Sequence, residues 1–113
     1  MAEVISYEDF QKVDIRVGRI VEVEDFERAR RPAFRLKIDF GPELGIKQSS
    51  AQFKTDYTAE QLTGSQCLAV VNFEPKNIAG FMSEVLVLGV PKKGGGLALV
   101  RPVDEAEPGG RLY

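Results

Sequence analysis

Strict alternation is the feature that most limits what this chain can fold into. Phe34, Leu36, Ile38 and Phe40 keep one parity while Arg35, Lys37 and Asp39 keep the other, which is the two-residue period of a strand with one buried face. Val13, Ile15, Val17, Val21 and Val23 repeat it against Asp14, Arg16, Glu22 and Glu24. Ile20 breaks that second pattern just after Gly18, which predicts a bulge or sharp bend. Ile46 to Ala51, Cys67 to Phe73, Val85 to Val90 and Leu97 to Val100 read as further short strands, with Gly41 to Gly45 as a turn and Gly94 to Gly96 as a hairpin tip. Cys67 to Phe73 is apolar on both parities apart from Asn72, as expected of a strand covered on both faces.

Helices are short. Ser6 with Asp9 fits a capping box ahead of Tyr7 to Lys12, and Thr58 with Gln61 fits a second that Gly64 would end. No long amphipathic helix is present. The pattern predicts an all-β fold, a five-stranded antiparallel barrel with short helices, and the helix after the third strand is where an OB-fold carries its own. The length of 113 residues predicts a single domain over 1–113.

Composition removes most chemistry. There is no histidine and one cysteine, so the commonest general base and metal ligand is missing and no internal disulfide can form. Cys67, inside Cys-Leu-Ala-Val-Val, reads as a buried small hydrophobe. The carboxylates show no paired or EF-hand spacing, and Gly94-Gly95-Gly96 lacks the strand-to-helix setting and the Lys-Ser/Thr of a phosphate-binding loop. No catalytic residue, cofactor or metal is expected. The opening Met-Ala-Glu-Val has no basic or apolar leader pattern, which predicts a cytoplasmic protein without membrane insertion. A formal charge of -2 does not mark a nucleic-acid binder.

Two places hold polar residues that a ligand could use. The segment with Pro75 and Gly80, between apolar runs, gathers Asn72, Lys76, Asn77, Ser83 and Glu84. Arg28, Arg30, Arg31, Arg35 and Lys37 cluster with no acid among them, and Phe26, Pro32 and Phe34 are interleaved. Guanidinium and aromatic surfaces together suit single-stranded nucleic acid or an extended polypeptide. Asn72, flanked by apolar residues, is expected to be buried and to need partners, from the Pro75 to Gly80 loop or from a ligand. Tyr7 and Phe10 share a helix face that covers either one end of the domain or a second subunit.

Asp14-Ile15-Arg16-Val17-Gly18, Ile46-Lys47-Gln48-Ser49-Ser50-Ala51-Gln52 and Asn72-Phe-x-Pro-x-x-Ile-Ala-Gly-Phe-x-Ser-Glu-Val-Leu-Val-Leu-Gly89 resemble the tRNA-binding-domain family of OB-folds. Within that family the likeness is to the CsaA-type secretion chaperones. The resemblance implies a non-enzymatic homodimer joined through Tyr7, Phe10, Leu112 and Tyr113. It implies binding of unfolded or pre-secretory polypeptides for export, the export machinery as a further partner, and tRNA as the alternative ligand. The implied ligand surface is Gln48, Ser49, Asn72, Lys76, Asn77, Ser83 and Glu84, with Arg30, Arg31 and Phe34 at its edge. Asn77 and Ala79 stand where tRNA-binding members carry a lysine and an arginine, which predicts weaker RNA affinity and a flatter salt dependence.

Overall fold

The computed structural model describes all residues from Met1 to Tyr113. One long strand, β1 (Ile15–Asp25), organises it. Its first half pairs antiparallel with β4 (Gln66–Val70), and its second half pairs with β2 (Phe34–Asp39). Within the pairing with β2 the register shifts at Val21, between Ile20 and Glu22. The bulge turns Val21 out to solvent at 43% exposure and leaves Ile20 fully buried, so the broken alternation in the sequence is a change of facing within one strand.

The chain continues from β2 through α2 (Gly41–Leu44), a single helical turn where composition predicted only a turn, into β3 (Ile46–Ala51). Next come α3 (Ala59–Leu62), β4, a hairpin of β5 (Lys76–Ile78) and β6 (Phe81–Ser83), then β7 (Leu86–Val87), and a last hairpin of β8 (Gly89–Pro91) and β9 (Leu97–Leu99). The predicted strands Cys67 to Phe73 and Val85 to Val90 are therefore shorter than their apolar runs. The main sheet has five strands in the order β3-β2-β1-β4-β7, curled so that β3 and β7 face each other across a nearly closed barrel. This is an OB-fold.

The core is Ile20, Phe34, Leu36 and Ile38 from β1 and β2 with Phe40 just beyond β2, closed by Phe53, Leu62, Cys67, Ala69, Val85 and Val87. Gly18 is fixed by packing, because a Cβ there would run into Ile38 and Phe40. Both capping boxes are formed. Ser6 caps α1 (Tyr7–Gln11) and Thr58 caps α3. The chain end is zipped onto the start of β1: Gly109 N–H donates to Val17 O at 2.8 Å, Val17 N–H to Gly110 O at 2.9 Å and Leu112 N–H to Ile15 O at 2.9 Å. Arg16 adds bonds to Asp14 Oδ1 at 2.6 Å and Gly109 O at 3.0 Å, and that hydrogen bond to Asp14 holds its guanidinium pKa above the usual value.

Candidate ligand-binding groove

The polar residues singled out in the sequence separate into three groups in space. Gln48, Ser49, Ser83 and Glu84 close the barrel. Gln48 N–H donates to Glu84 Oε1 at 3.0 Å and Glu84 N–H donates back to Gln48 O at 2.9 Å. Ser50 N–H donates to Ser83 Oγ at 3.0 Å, Ser49 Oγ donates to Val85 O at 2.8 Å, and Gln48 Nε2 donates to Met82 O at 2.9 Å. Side chains thus do here what a ladder does elsewhere in the sheet, each committing at least one polar atom to a backbone partner. Ser49 is 0% exposed and presents nothing to a ligand, contrary to the expectation for it.

Asn72 is a second correction. It is exposed rather than buried, and it does not bond the Pro75 to Gly80 loop. Its Nδ2 donates to Lys12 O at 2.7 Å and its Oδ1 accepts from Asp14 N–H at 3.0 Å, pinning the end of β4 to the junction of α1 and β1. Phe34 is a third. At 4% exposure it belongs to the core, as its own alternation with Leu36 and Ile38 required. Phe26 is likewise buried, packed edge-on to Phe81 with ring centroids 5.4 Å apart. The arginine cluster therefore has no exposed aromatic platform from either ring.

The third group lines a groove. Arg28, Arg30 and Arg31, on the loop between β1 and β2, face Lys76, Asn77, Ile78 and Ala79 of the β5–β6 hairpin across a groove of about 680 Å³ floored by Ser50 and Gln52. The loop is held by Phe26 N–H on Ala33 O at 3.0 Å and by the buried Phe26 ring beneath it. The hairpin turns at Ala79 and Gly80, with φ of 50° and 86°, a primed turn suited to strand twist. Asn77 Oδ1 accepts from Gly80 N–H at 2.8 Å, so this side chain shapes the tip as well as lining the groove.

No carboxylate lines the groove. Lys12, Arg16, Arg19, Arg35, Lys37, Lys54, Lys92 and Arg111 are ion-paired, which leaves seven cations unpaired, and Arg28, Arg30, Arg31 and Lys76 are four of them. A chain of net charge -2 therefore carries a local site of free positive charge. Arg28, Ser50 and Gln52 were not singled out as site residues from sequence, although Arg28 already stood in the arginine run.

The expected subunit contacts also come together. Tyr7, Phe10, Leu112 and Tyr113 line one small apolar groove with Val13. No residue of α1 is buried, and Tyr7 is 64% exposed. Elsewhere, no group of His, Cys, Asp and Glu is arranged to hold a metal ion, no helix is long and apolar enough to cross a membrane, and burial pushes the Cys67 thiol up to about 12.

Residues 15–111 match the model of the putative tRNA-binding domain family. The chain belongs to that family. Among solved members of this tRNA-binding-domain fold, the CsaA chaperone protein of Picrophilus torridus is 51% identical with a TM-score of 0.91, covering 97% of this chain and 100% of that one. Chaperone CsaA of Bacillus anthracis is 50% identical with a TM-score of 0.89, covering 98% and 100%. The methionine–tRNA ligase of Bdellovibrio bacteriovorus is 38% identical over 108 residues, 96% of this chain but 15% of the ligase. The chain thus spans about 15% of the length of that curated relative, which carries the tRNA-binding domain as one part of a longer protein.

Proposed function

We propose that this protein is a non-enzymatic, homodimeric chaperone of the CsaA type, a single domain over 1–113 that acts in the cytoplasm on unfolded or pre-secretory polypeptides destined for export and passes them to the export machinery. The observation that carries the reading is the 51% and 50% identity, over essentially whole chains, to two proteins described as CsaA chaperones. The groove supports it. Free cations beside the aliphatic Ile78 and Ala79, with Ser50 and Gln52 as polar anchors, can engage extended chains of varied sequence, because main-chain bonds and apolar contact are sequence-tolerant. The Tyr7, Phe10, Leu112 and Tyr113 surface supports the dimer.

A second reading, tRNA binding through the same groove, is favoured by the unpaired Arg28, Arg30, Arg31 and Lys76 and by the family itself. Titrating the protein side by side with bulk tRNA and with a reduced, unfolded polypeptide, at low and near-physiological salt, separates them. The chaperone reading expects polypeptide binding that survives salt and tRNA binding that fades as salt rises. Persistent tRNA affinity with no polypeptide binding would replace it with the second reading. Sedimentation of the free protein tests the dimer.

A further inference from the structure

The barrel seam is sealed at Gln48–Ser50 and Ser83–Val85 but not beyond. Past Val85, β3 and β7 part around an opening of about 310 Å³, lined by Phe53, Leu86, Leu88 and Leu97 together with Ser50 and Gln52. The backbone of β7 explains what this opening lacks. Leu86 pairs with Val70, and Leu88 N–H donates to Leu68 O at 2.9 Å. In an antiparallel pair the hydrogen-bonding positions alternate, so Leu86, and Leu88 through its N–H, bond towards β4 while Val87 turns its N–H and C=O the other way, towards β3; the Leu88 carbonyl accepts from Val100 N–H at 3.1 Å. No strand pairs with β7 on that side. Two residues earlier the Ser49 hydroxyl meets Val85 O; no side chain takes that role at Val87, which is only 8% exposed. A sheltered donor and acceptor pair of this kind calls for a partner.

We propose that this opening receives an extended polypeptide segment as an added strand, its backbone bonded to the Val87 N–H and C=O and its apolar side chains set against Phe53, Leu86 and Leu97. The inference rests on the polypeptide-binding reading above and gives it a site and a chemistry. Ser50 and Gln52 line both this opening and the basic groove, so the two are continuous. A segment leaving the opening there meets Arg28, Arg30, Arg31 and Lys76. The preferred occupant is therefore an alternating apolar stretch followed by acidic residues. Nucleic acid is disfavoured in the opening itself, because no cation lines it and a phosphate backbone offers no matching donor and acceptor pair.

The test is the affinity of the full-length protein for a labelled peptide of alternating valine and threonine ending in glutamates, compared with two versions carrying backbone N-methyl groups along one edge or the other. Methylation of the edge that faces Val87 is expected to weaken binding about tenfold, the equivalent of one desolvated hydrogen bond, and methylation of the opposite edge to leave it unchanged. Leu86→Lys, at a position 50% exposed, should weaken the parent peptide similarly. Arg30→Glu with Arg31→Glu should remove the advantage of the glutamate tail alone. Equal binding of all three peptides would overturn the strand-addition site, as would failure to bind the parent peptide while the unfolded polypeptide is still bound. Loss of both ligands would take the chaperone reading with it. If Leu86→Lys alters sedimentation of the free protein but not peptide binding, the opening belongs to a second copy and the proposal fails.

Discussion

The seam and the basic groove lie side by side and share Ser50, yet their polar side chains are in opposite states. At the seam, Gln48, Ser49, Ser83 and Glu84 bond to the backbone of the facing segment at 2.8 to 3.0 Å. In the groove, Arg28, Arg30, Arg31 and Lys76 make no ion pair and are exposed. At the seam, side chains satisfy sheet edges that would otherwise stand open. The groove cations and the β7 edge at Val87 are what the fold leaves free for the ligands proposed above. Seam substitutions should therefore act on stability, and groove substitutions on binding.

The sharpest break between the two is expected from Arg30→Glu with Arg31→Glu. On the tRNA reading, reversing two of the four groove charges should cost about 100-fold in tRNA affinity at low salt and reduce the salt slope, while the thermal midpoint stays in place. Binding of unfolded polypeptide should fall much less. Filter binding and thermal unfolding on the same preparation check both halves. Equal loss of both ligands would mean one shared electrostatic site.

Glu84→Ala is the matching change at the seam, with the next largest effect. It removes the carboxylate that accepts from Gln48 N–H, a charge-assisted bond. The expected loss is about 2 kcal/mol, or a fall in Tm of roughly 10 °C for a domain of this size, with tRNA affinity per folded molecule unchanged. A drop in affinity without a drop in Tm would return Glu84 to the ligand surface and dissolve the distinction.

Much of this fold was legible because strand alternation is a local signal. The two long alternating runs marked β1 and β2, the misplaced Ile20 marked the bulge, and Ser6–Asp9 and Thr58–Gln61 marked the caps. The seam was not legible, since it joins residues 36 positions apart (Gln48 to Glu84, Ser49 to Val85) through side chains with no local pattern. A partial signal did exist. Ser49 shares parity with the buried Ala51 and Phe53, just as Phe34 shares it with Leu36, and alternation alone would have withdrawn both from the ligand surface. The groove was half legible: the arginine run named one wall, but only the fold shows that the β5–β6 hairpin supplies the other.

Ser49→Ala tests that parity argument with a smaller effect. Removing a fully buried hydroxyl leaves the Val85 carbonyl without its donor, at a cost of about 1.5 kcal/mol measurable by urea unfolding, and the groove should bind as before. The Ser50 and Gln52 floor shares the strand but faces the other way. A stability-neutral Ser49→Ala would mean that the seam is held by Gln48 and Glu84 alone.

Asn72→Ala should have the least effect on stability, and it extends the comparison to the α1 end of the molecule. The side chain is exposed, so water can replace its bonds to Lys12 O and Asp14 N–H, and the expected cost is about 1 kcal/mol or less. Those two bonds nevertheless hold the residues that connect α1 to the barrel, and α1 carries Tyr7 and Phe10 beside Leu112 and Tyr113. If that surface joins two subunits, freeing α1 means that dimerisation must first order it again, an entropic cost that appears in association and not in unfolding. Asn72→Ala should then weaken the dimer severalfold in concentration-dependent sedimentation while tRNA and polypeptide binding per subunit are retained. Loss of ligand binding with an intact dimer would instead put Asn72 back among the ligand contacts, where sequence first placed it.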